Sequence, residues 1–147
     1  PLNMSDALSK VIKKLKSEKE PIIVNLSGGL RALVIITLLA ILSLDKKAKI
    51  EIELENFQGV LQFDPIIVRA KDMDETHRKI LKLALESEIT ISDVQMMLKI
   101  PRSTAYKKLE ELVDYRYLKK RYEGANAYYA ITETGKIALA ILSSITE

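Results

Sequence analysis

The spacing of apolar residues changes period along the chain, and each change marks an element. An amphipathic pattern up to about Ser17 predicts a helix, capped by Asn3 or Ser5. Pro21 to Asn25 is a short β-branched run and predicts a strand, after which Leu30 to Leu44 is apolar around most of a helix circumference. Such a helix needs cover on two sides, by a sheet and by something else. Lys49 to Leu54 alternates at period two, and Val60 to Phe63 with Ile66 to Val68 predicts one or two more strands after a turn at Asn56 to Gly59. The strand around Ile22-Ile23-Val24 is apolar on both faces, as central parallel strands are, yet the later sequence supplies neighbours for one side only. With the chain opening on Pro1, the expectation is a domain whose earlier strands are missing or one that a second copy completes.

From Asp74 the pattern becomes helix, helix, turn, helix, hairpin, helix. Asp74 caps the first of these helices, with Ile80, Leu81, Ala84 and Leu85 as its stripe; Ser92 with Gln95 forms a capping box for the second, which carries Val94, Met97 and Leu98. The turn Lys99-Ile100-Pro101 leads into a third helix, about Arg102 to Tyr115, with Ala105, Leu109, Leu112 and Val113 inward. Leu118 to Tyr122 and Ala127 to Ile131 flank Glu123-Gly124-Ala125-Asn126 as a hairpin, and Thr132 caps a last helix with more apolar surface than one small core covers. The fold expected is α/β followed by α+β, divided into residues 1–73 and 74–147. The apolar excess on two helices predicts a homodimer.

Composition narrows the chemistry. The chain has no cysteine and one histidine, which removes disulfides, thiolate catalysis and His/Cys zinc sites and makes the cytoplasm the expected compartment. His77 reads as a packed or capping residue, and no catalytic or metal-binding set is identified. Leu30 to Leu44 reaches only about 22 Å as a helix, short of a ~30 Å hydrocarbon core, so no membrane span is expected. The net charge of +3 is too mild to indicate a partner, and the placement of the charges must do so.

Two places hold candidate chemistry. A strand that runs into Ser27-Gly28-Gly29 and then a helix leaves the unpaired N–H groups of the first helical turn available to an anion, with Arg31 two residues beyond to add a fork of donors. The alternative is a Gly-Gly chain reversal and nothing more. On the third helix of the second half, Ser103, Thr104, Lys107 and Lys108 point away from the apolar face, while Glu110, Glu111 and Asp114 turn the outward face acidic further along. DNA contact is therefore expected at the first two turns. Lys99, Arg102, Lys107, Lys108, Arg116, Lys119, Lys120 and Arg121 concentrate positive charge there and on the first hairpin strand, where phosphates would be met.

Residues 74 to 147, with Pro-Arg-Ser-Thr-Ala-Tyr-Lys-Lys-Leu-Glu-Glu-Leu from Pro101 on, resemble the winged helix-turn-helix of archaeal and bacterial regulators. The first half resembles the later part of a CARF domain, the CRISPR-associated Rossmann-like fold, through Val24-Asn25-Leu26-Ser27-Gly28-Gly29-Leu30-Arg31. In this order the pair resembles archaeal CRISPR-associated transcription regulators. The resemblance implies that Asn25, Leu26, Ser27, Gly28, Gly29 and Arg31 bind a cyclic oligoadenylate effector at a two-fold axis, with no cofactor. It also implies that Arg102, Ser103, Thr104, Lys107, Lys108, Lys119, Lys120 and Arg121 bind double-stranded DNA. Competing expectations are a ring nuclease that cleaves its own cyclic ligand and a dimerisation module without ligand; with no general base evident near Ser27 to Arg31, the regulator is preferred.

Overall fold

The structure is a computed structural model that describes residues 3–56 and 58–146, so Phe57 of the expected turn lies outside it. Two compact units divide the chain at Pro65/Ile66. In the first, helix α1 (Met4–Ser17) precedes strand β1 (Ile22–Asn25), helix α2 (Arg31–Leu42), and strands β2 (Ala48–Glu53) and β3 (Val60–Phe63). The crossover through α2 brings β2 parallel to β1, with Ile22 opposite Ala48 and Asn25 opposite Glu51, and β3 returns antiparallel, with Ile50 opposite Phe63. Leu15, Ile22, Val24, Ala40, Ile41, Ala48 and Ile50 form the core.

The sheet order is β1-β2-β3, so β1 lies at an edge of the described sheet. It alternates buried and exposed instead of being covered on both faces, and Ile23 is 65% exposed. α2 likewise buries one side, through Ile36, Ala40 and Ile41, and leaves Leu30, Leu33, Ile35 and Leu39 exposed.

One predicted strand is absent. Ile66 to Val68 lie in a 3-10 helix, Pro65–Asp72, where Pro65 removes a ladder donor and fixes its own φ. This segment belongs to the second unit: Ala70 is fully buried in that unit's core, and the Tyr117 hydroxyl donates to the Ile66 carbonyl at 2.6 Å. Residues 66–73 thus fall on the far side of the division from where strand patterning put them.

The second unit continues with α3 (Glu75–Glu86), α4 (Ile91–Leu98), α5 (Arg102–Asp114), β4 (Leu118–Glu123), β5 (Asn126–Ile131) and α6 (Glu133–Ile145). β4 and β5 form the hairpin, Leu118 opposite Ile131, and Ile89 and Tyr129 exchange backbone hydrogen bonds of 2.9 and 2.8 Å to add a short third edge. Ile80, Leu81, Val94, Leu109, Leu112, Tyr117, Leu118, Tyr129 and Leu142 fill the core. Leu85 and Met97, expected inside, are exposed, because each stripe is narrower than its apolar content.

Asp74 and Thr132 cap α3 and α6 as expected from sequence, and His77 completes the Asp74 box through its side chain. The box on α4 is Thr90 with Asp93, not Ser92 with Gln95: Thr90 Oγ1 accepts the Asp93 N–H at 3.2 Å and Asp93 Oδ2 accepts the Thr90 N–H at 2.8 Å. Isoleucine at the first helical position is tolerated once these two donors are satisfied. α6 comes so close to the α5–β4 connection that a Cβ on buried Gly135 would overlap the Tyr117 carbonyl oxygen.

Candidate ligand turn and nucleic-acid interface

Beyond β1 the Leu26 N–H donates to Glu51 O at 2.8 Å and prolongs the parallel ladder by one residue. The chain then turns on two side-chain bonds. Asn25 Oδ1 accepts the Ser27 N–H at 2.9 Å, and Ser27 Oγ accepts the Glu53 N–H at 2.7 Å, which ties the turn to the end of β2. Gly29 has φ of 104°, a conformation in which a side chain is strained; Gly28 has no neighbour within 4 Å of a Cβ position. Leu30 precedes α2 with no side-chain cap, so the first-turn N–H groups keep their capacity for an anion.

A groove of about 470 Å³ opens here, lined by Leu26, Ser27, Gly28, Gly29, Arg31, Val34, Ile35 and Glu55. Five of the six residues expected at this site line it. Asn25 does not; its side chain shapes the turn. Val34, Ile35 and Glu55 were not anticipated, although Val34 and Ile35 stand three and four positions after Arg31, one helical turn on. Glu55 sets a negative charge at the rim and Arg31 a positive one, so an anion is favoured only towards Arg31 and the helix start.

In the second unit, α4, the turn at Lys99 with φ of 53°, and α5 make a helix-turn-helix, and β4–β5 form a wing. α5 also begins without a side-chain cap, after Pro101. Arg102, Ser103 and Lys107 are exposed and Thr104 is half-buried; Arg102 reaches back to Gln95 Oε1 at 3.3 Å. Lys107 and Lys119 are exposed, and no ion pair involves them among the described residues.

The remaining lysines and the acidic face depart from expectation. Lys108 is turned onto Asp74 and approaches Glu111. Lys120 Nζ binds Glu110 Oε1 at 2.7 Å, and Arg121 is shared between Glu88 at 2.8 Å and Glu123 at 3.1 Å while its guanidinium lies over the Tyr128 ring. Glu110 and Glu111 therefore do not form an outward acidic face. Glu110 meets Lys120 and Tyr129, and Glu111 accepts His77 Nε2–H at 2.6 Å, His77 Nδ1 being the acceptor for the Asp74 N–H. Tyr106, 49% exposed on the outer side of α5, escaped notice because an aromatic among lysines reads as packing.

Two carboxyls carry the electrostatic mark of this arrangement. Burial works to raise the pKa of Asp74, yet hydrogen bonds from Lys108 and the His77 backbone, with their charges, hold it at about 2. Burial likewise opposes ionisation of Glu110, and bonds from Lys120 and Tyr129 outweigh it and keep the carboxyl below its usual range.

Residues 1–64 match the family model described as the Csa3 CRISPR-associated Rossmann-like domain. The first unit is Rossmann-like in its β1–α2–β2 crossover and similar to that CRISPR-associated domain. Its parallel β1–α2–β2 unit, with the glycine turn at the C-terminal end of β1, is the part of such a fold where ligands sit. The second unit is a winged helix-turn-helix by its own elements: three helices, a hairpin with a short third edge, and a closing helix. No curated protein matches the chain. Among solved structures it is similar to the adhesin competence repressor of Streptococcus pyogenes, at 21% identity over 55% of this chain and 64% of that one, TM-score 0.45. The match thus spans less than two thirds of that repressor. It is also similar to HlyU of Vibrio cholerae (19% identity, 54% and 84% covered, TM-score 0.46) and to a homodimeric winged helix-turn-helix DNA-binding domain of Mycobacterium bovis (20% identity, 55% and 75% covered, TM-score 0.46). Among the described residues no helix is long and apolar enough to cross a membrane.

Proposed function

We propose that the protein is a cytoplasmic, homodimeric, DNA-binding transcription regulator of CRISPR-associated genes, whose Rossmann-like domain takes a cyclic oligoadenylate as effector. The observation that carries the reading is the joining of a CRISPR-associated ligand fold to a helix-turn-helix whose recognition helix starts bare and basic. In the effector site Arg31, the Gly28–Gly29 backbone and the α2 N–H groups receive phosphate, Leu26, Val34 and Ile35 receive the apolar faces of a nucleoside, and Asn25 and Ser27 hold the turn. On DNA, Arg102 and Lys107 neutralise phosphates from the start of α5, Ser103 and Thr104 approach base edges, and Lys119 serves from the wing. The M. bovis domain, described as homodimeric, supports two-fold reading, and the exposed apolar residues of α2 supply a surface for pairing.

The test is a titration of the full chain with labelled duplex, with and without cyclic oligoadenylate. Lys107→Ala should lower the log–log salt slope by about 0.9, the contribution of one phosphate contact. Arg31→Ala should weaken effector binding and remove the effector's influence on DNA while ligand-free DNA binding persists; linkage requires that DNA change effector affinity by the same factor. Effector binding unaffected by Arg31→Ala would reduce the turn to a chain reversal, and release of linear oligoadenylate would establish the ring nuclease instead.

A further inference from the structure

Lys120 sits where the wing meets the recognition helix, and its surroundings differ from those of every other lysine described. Its Nζ is 2.7 Å from Glu110 Oε1. The same oxygen accepts the Tyr129 hydroxyl at 2.9 Å. Three tyrosine rings surround the ammonium, with centroids 5.1 Å away for Tyr122, 5.6 Å for Tyr129 and 5.7 Å for Tyr106. Tyr106 and Glu110 stand one turn apart on α5, Tyr122 two residues on along β4, and Tyr129 directly across the hairpin. One cation therefore joins helix to wing through an ion pair and three ring faces, an arrangement stronger than an exposed pair because the charge is largely withdrawn from water.

Period two along β4 explains why this is a lysine. Leu118 and Lys120 face the domain, and Lys119 and Arg121 face away, so a charge at 120 is turned from the solvent side and must find its partners inside. We propose that Lys120 is a positioning residue of the DNA reader: bound to Glu110 and caged by Tyr106, Tyr122 and Tyr129, it sets the angle of the wing on α5, and duplex affinity depends on it although it touches no phosphate. The proposal rests on the DNA-binding reading. In support, the Tyr129 hydroxyl is pushed up to about 12 by burial first and by Glu110 second, which keeps it a donor. The Lys120 ammonium is stabilised above its ordinary range, by Glu110 foremost.

The deciding variant is Glu110→Gln in the full chain, titrated against a labelled mixed-sequence duplex of about 30 base pairs, long enough for two half-sites. Removing a negative charge from a DNA-binding face raises affinity if Lys120 is a phosphate contact that Glu110 restrains. Positioning predicts the reverse: Glu110→Gln and Lys120→Met each weaken binding, about tenfold, as loss of a charge-assisted bond allows. The double variant then loses no more than the worse single one, and Lys120→Arg, which keeps the pair, stays near wild type. Melting curves without DNA identify any variant that has lost its fold, and if Glu110→Gln is one of them the log–log salt slope of Lys120→Met keeps the comparison decisive: it is unchanged under positioning and falls by about 0.9, overturning the proposal, if Lys120 meets a phosphate. Higher affinity in Glu110→Gln, or additive losses in the double variant, overturns the proposal. A wild-type chain that binds no duplex overturns the DNA-binding reading itself, whatever the variants do.

Discussion

Helix α6 starts under the hydroxyl of Thr132, which accepts the Gly135 N–H at 2.9 Å, whereas α2 starts after Leu30 with no side-chain acceptor. The contrast runs through the molecule. α1, α3 and α4 begin under Asn3, Asp74 and Thr90, and of the α-helices only α2 and α5 begin bare among the described residues. The capped starts hold structure together; the bare ones belong to the turn and the helix for which effector and DNA binding are proposed. A cap satisfies orphan N–H groups that an anion would otherwise take, so leaving it out keeps a binding site open at a cost of about 1 kcal/mol in stability. The two units differ in apolar surface as well: the Rossmann-like domain leaves Ile23, Leu30, Leu33 and Ile35 at least half exposed, while the winged helix buries Tyr117 and Tyr129 completely.

The largest effect expected from this contrast lies at two glycines. Gly135→Ala drives a Cβ into the Tyr117 carbonyl and should cost about 3 kcal/mol or more, with a lowered melting temperature and loss of duplex binding. Gly28→Ala, with nothing within 4 Å, should stay within about 0.5 kcal/mol and act only on the effector. Similar melting curves for the two would erase the distinction between packed and open starts.

Next come the leucines. Leu109→Ala empties a fully buried site and should destabilise by about 2–5 kcal/mol at any protein concentration. Leu33→Ala, at a position 52% exposed, should leave the melting curve of dilute protein almost unmoved and weaken self-association seen by light scattering. A core-sized cost for Leu33 in dilute monomer would mean that α2 is covered from within.

Installing the missing cap is a finer probe. Leu30→Asp should stabilise the first unit by about 0.5–1 kcal/mol and, by occupying the same N–H groups with a carboxylate, reduce effector affinity measured by calorimetry. A gain in both would show that the α2 start is not the anion seat.

The smallest expected effect is with pH. Asp74 is held at about 2 against an ordinary 3.8, so its stabilising contribution is complete above pH 4 and is lost as pH falls towards 2. The side chain is half exposed, and screening keeps the loss to about 1 kcal/mol or less. Lys108→Met should flatten that acid limb in a pH series of melting curves; an unchanged limb would detach Lys108 from Asp74.

Helix and strand order, the caps at Asp74 and Thr132, the glycine turn and the winged helix could all be read from residue spacing, while Asn3 and Ser5 were both candidates for the first cap and the structure uses Asn3. Each depends on neighbours within about one helical turn or one hairpin, where periodicity and side-chain length leave few options. Ile66 to Val68 failed that test: three β-branched or apolar residues after Pro65 look like a strand, and only their contact with Tyr117 and the second core makes them a 3-10 helix. The α4 box failed it by two residues, since Thr90-x-x-Asp93 and Ser92-x-x-Gln95 are both credible and packing chose between them. Charge partners were beyond it altogether. Lys119 and Lys120 are adjacent and chemically identical, yet one is exposed and the other is paired with Glu110, because pleating sends successive side chains to opposite faces and only the placement of α5 decides which face is inside. The Lys108–Asp74 and Arg121–Glu88 ion pairs and the His77–Glu111 hydrogen bond join residues more than thirty positions apart; no local pattern encodes them, because they form only when separate elements have packed and brought these groups within reach.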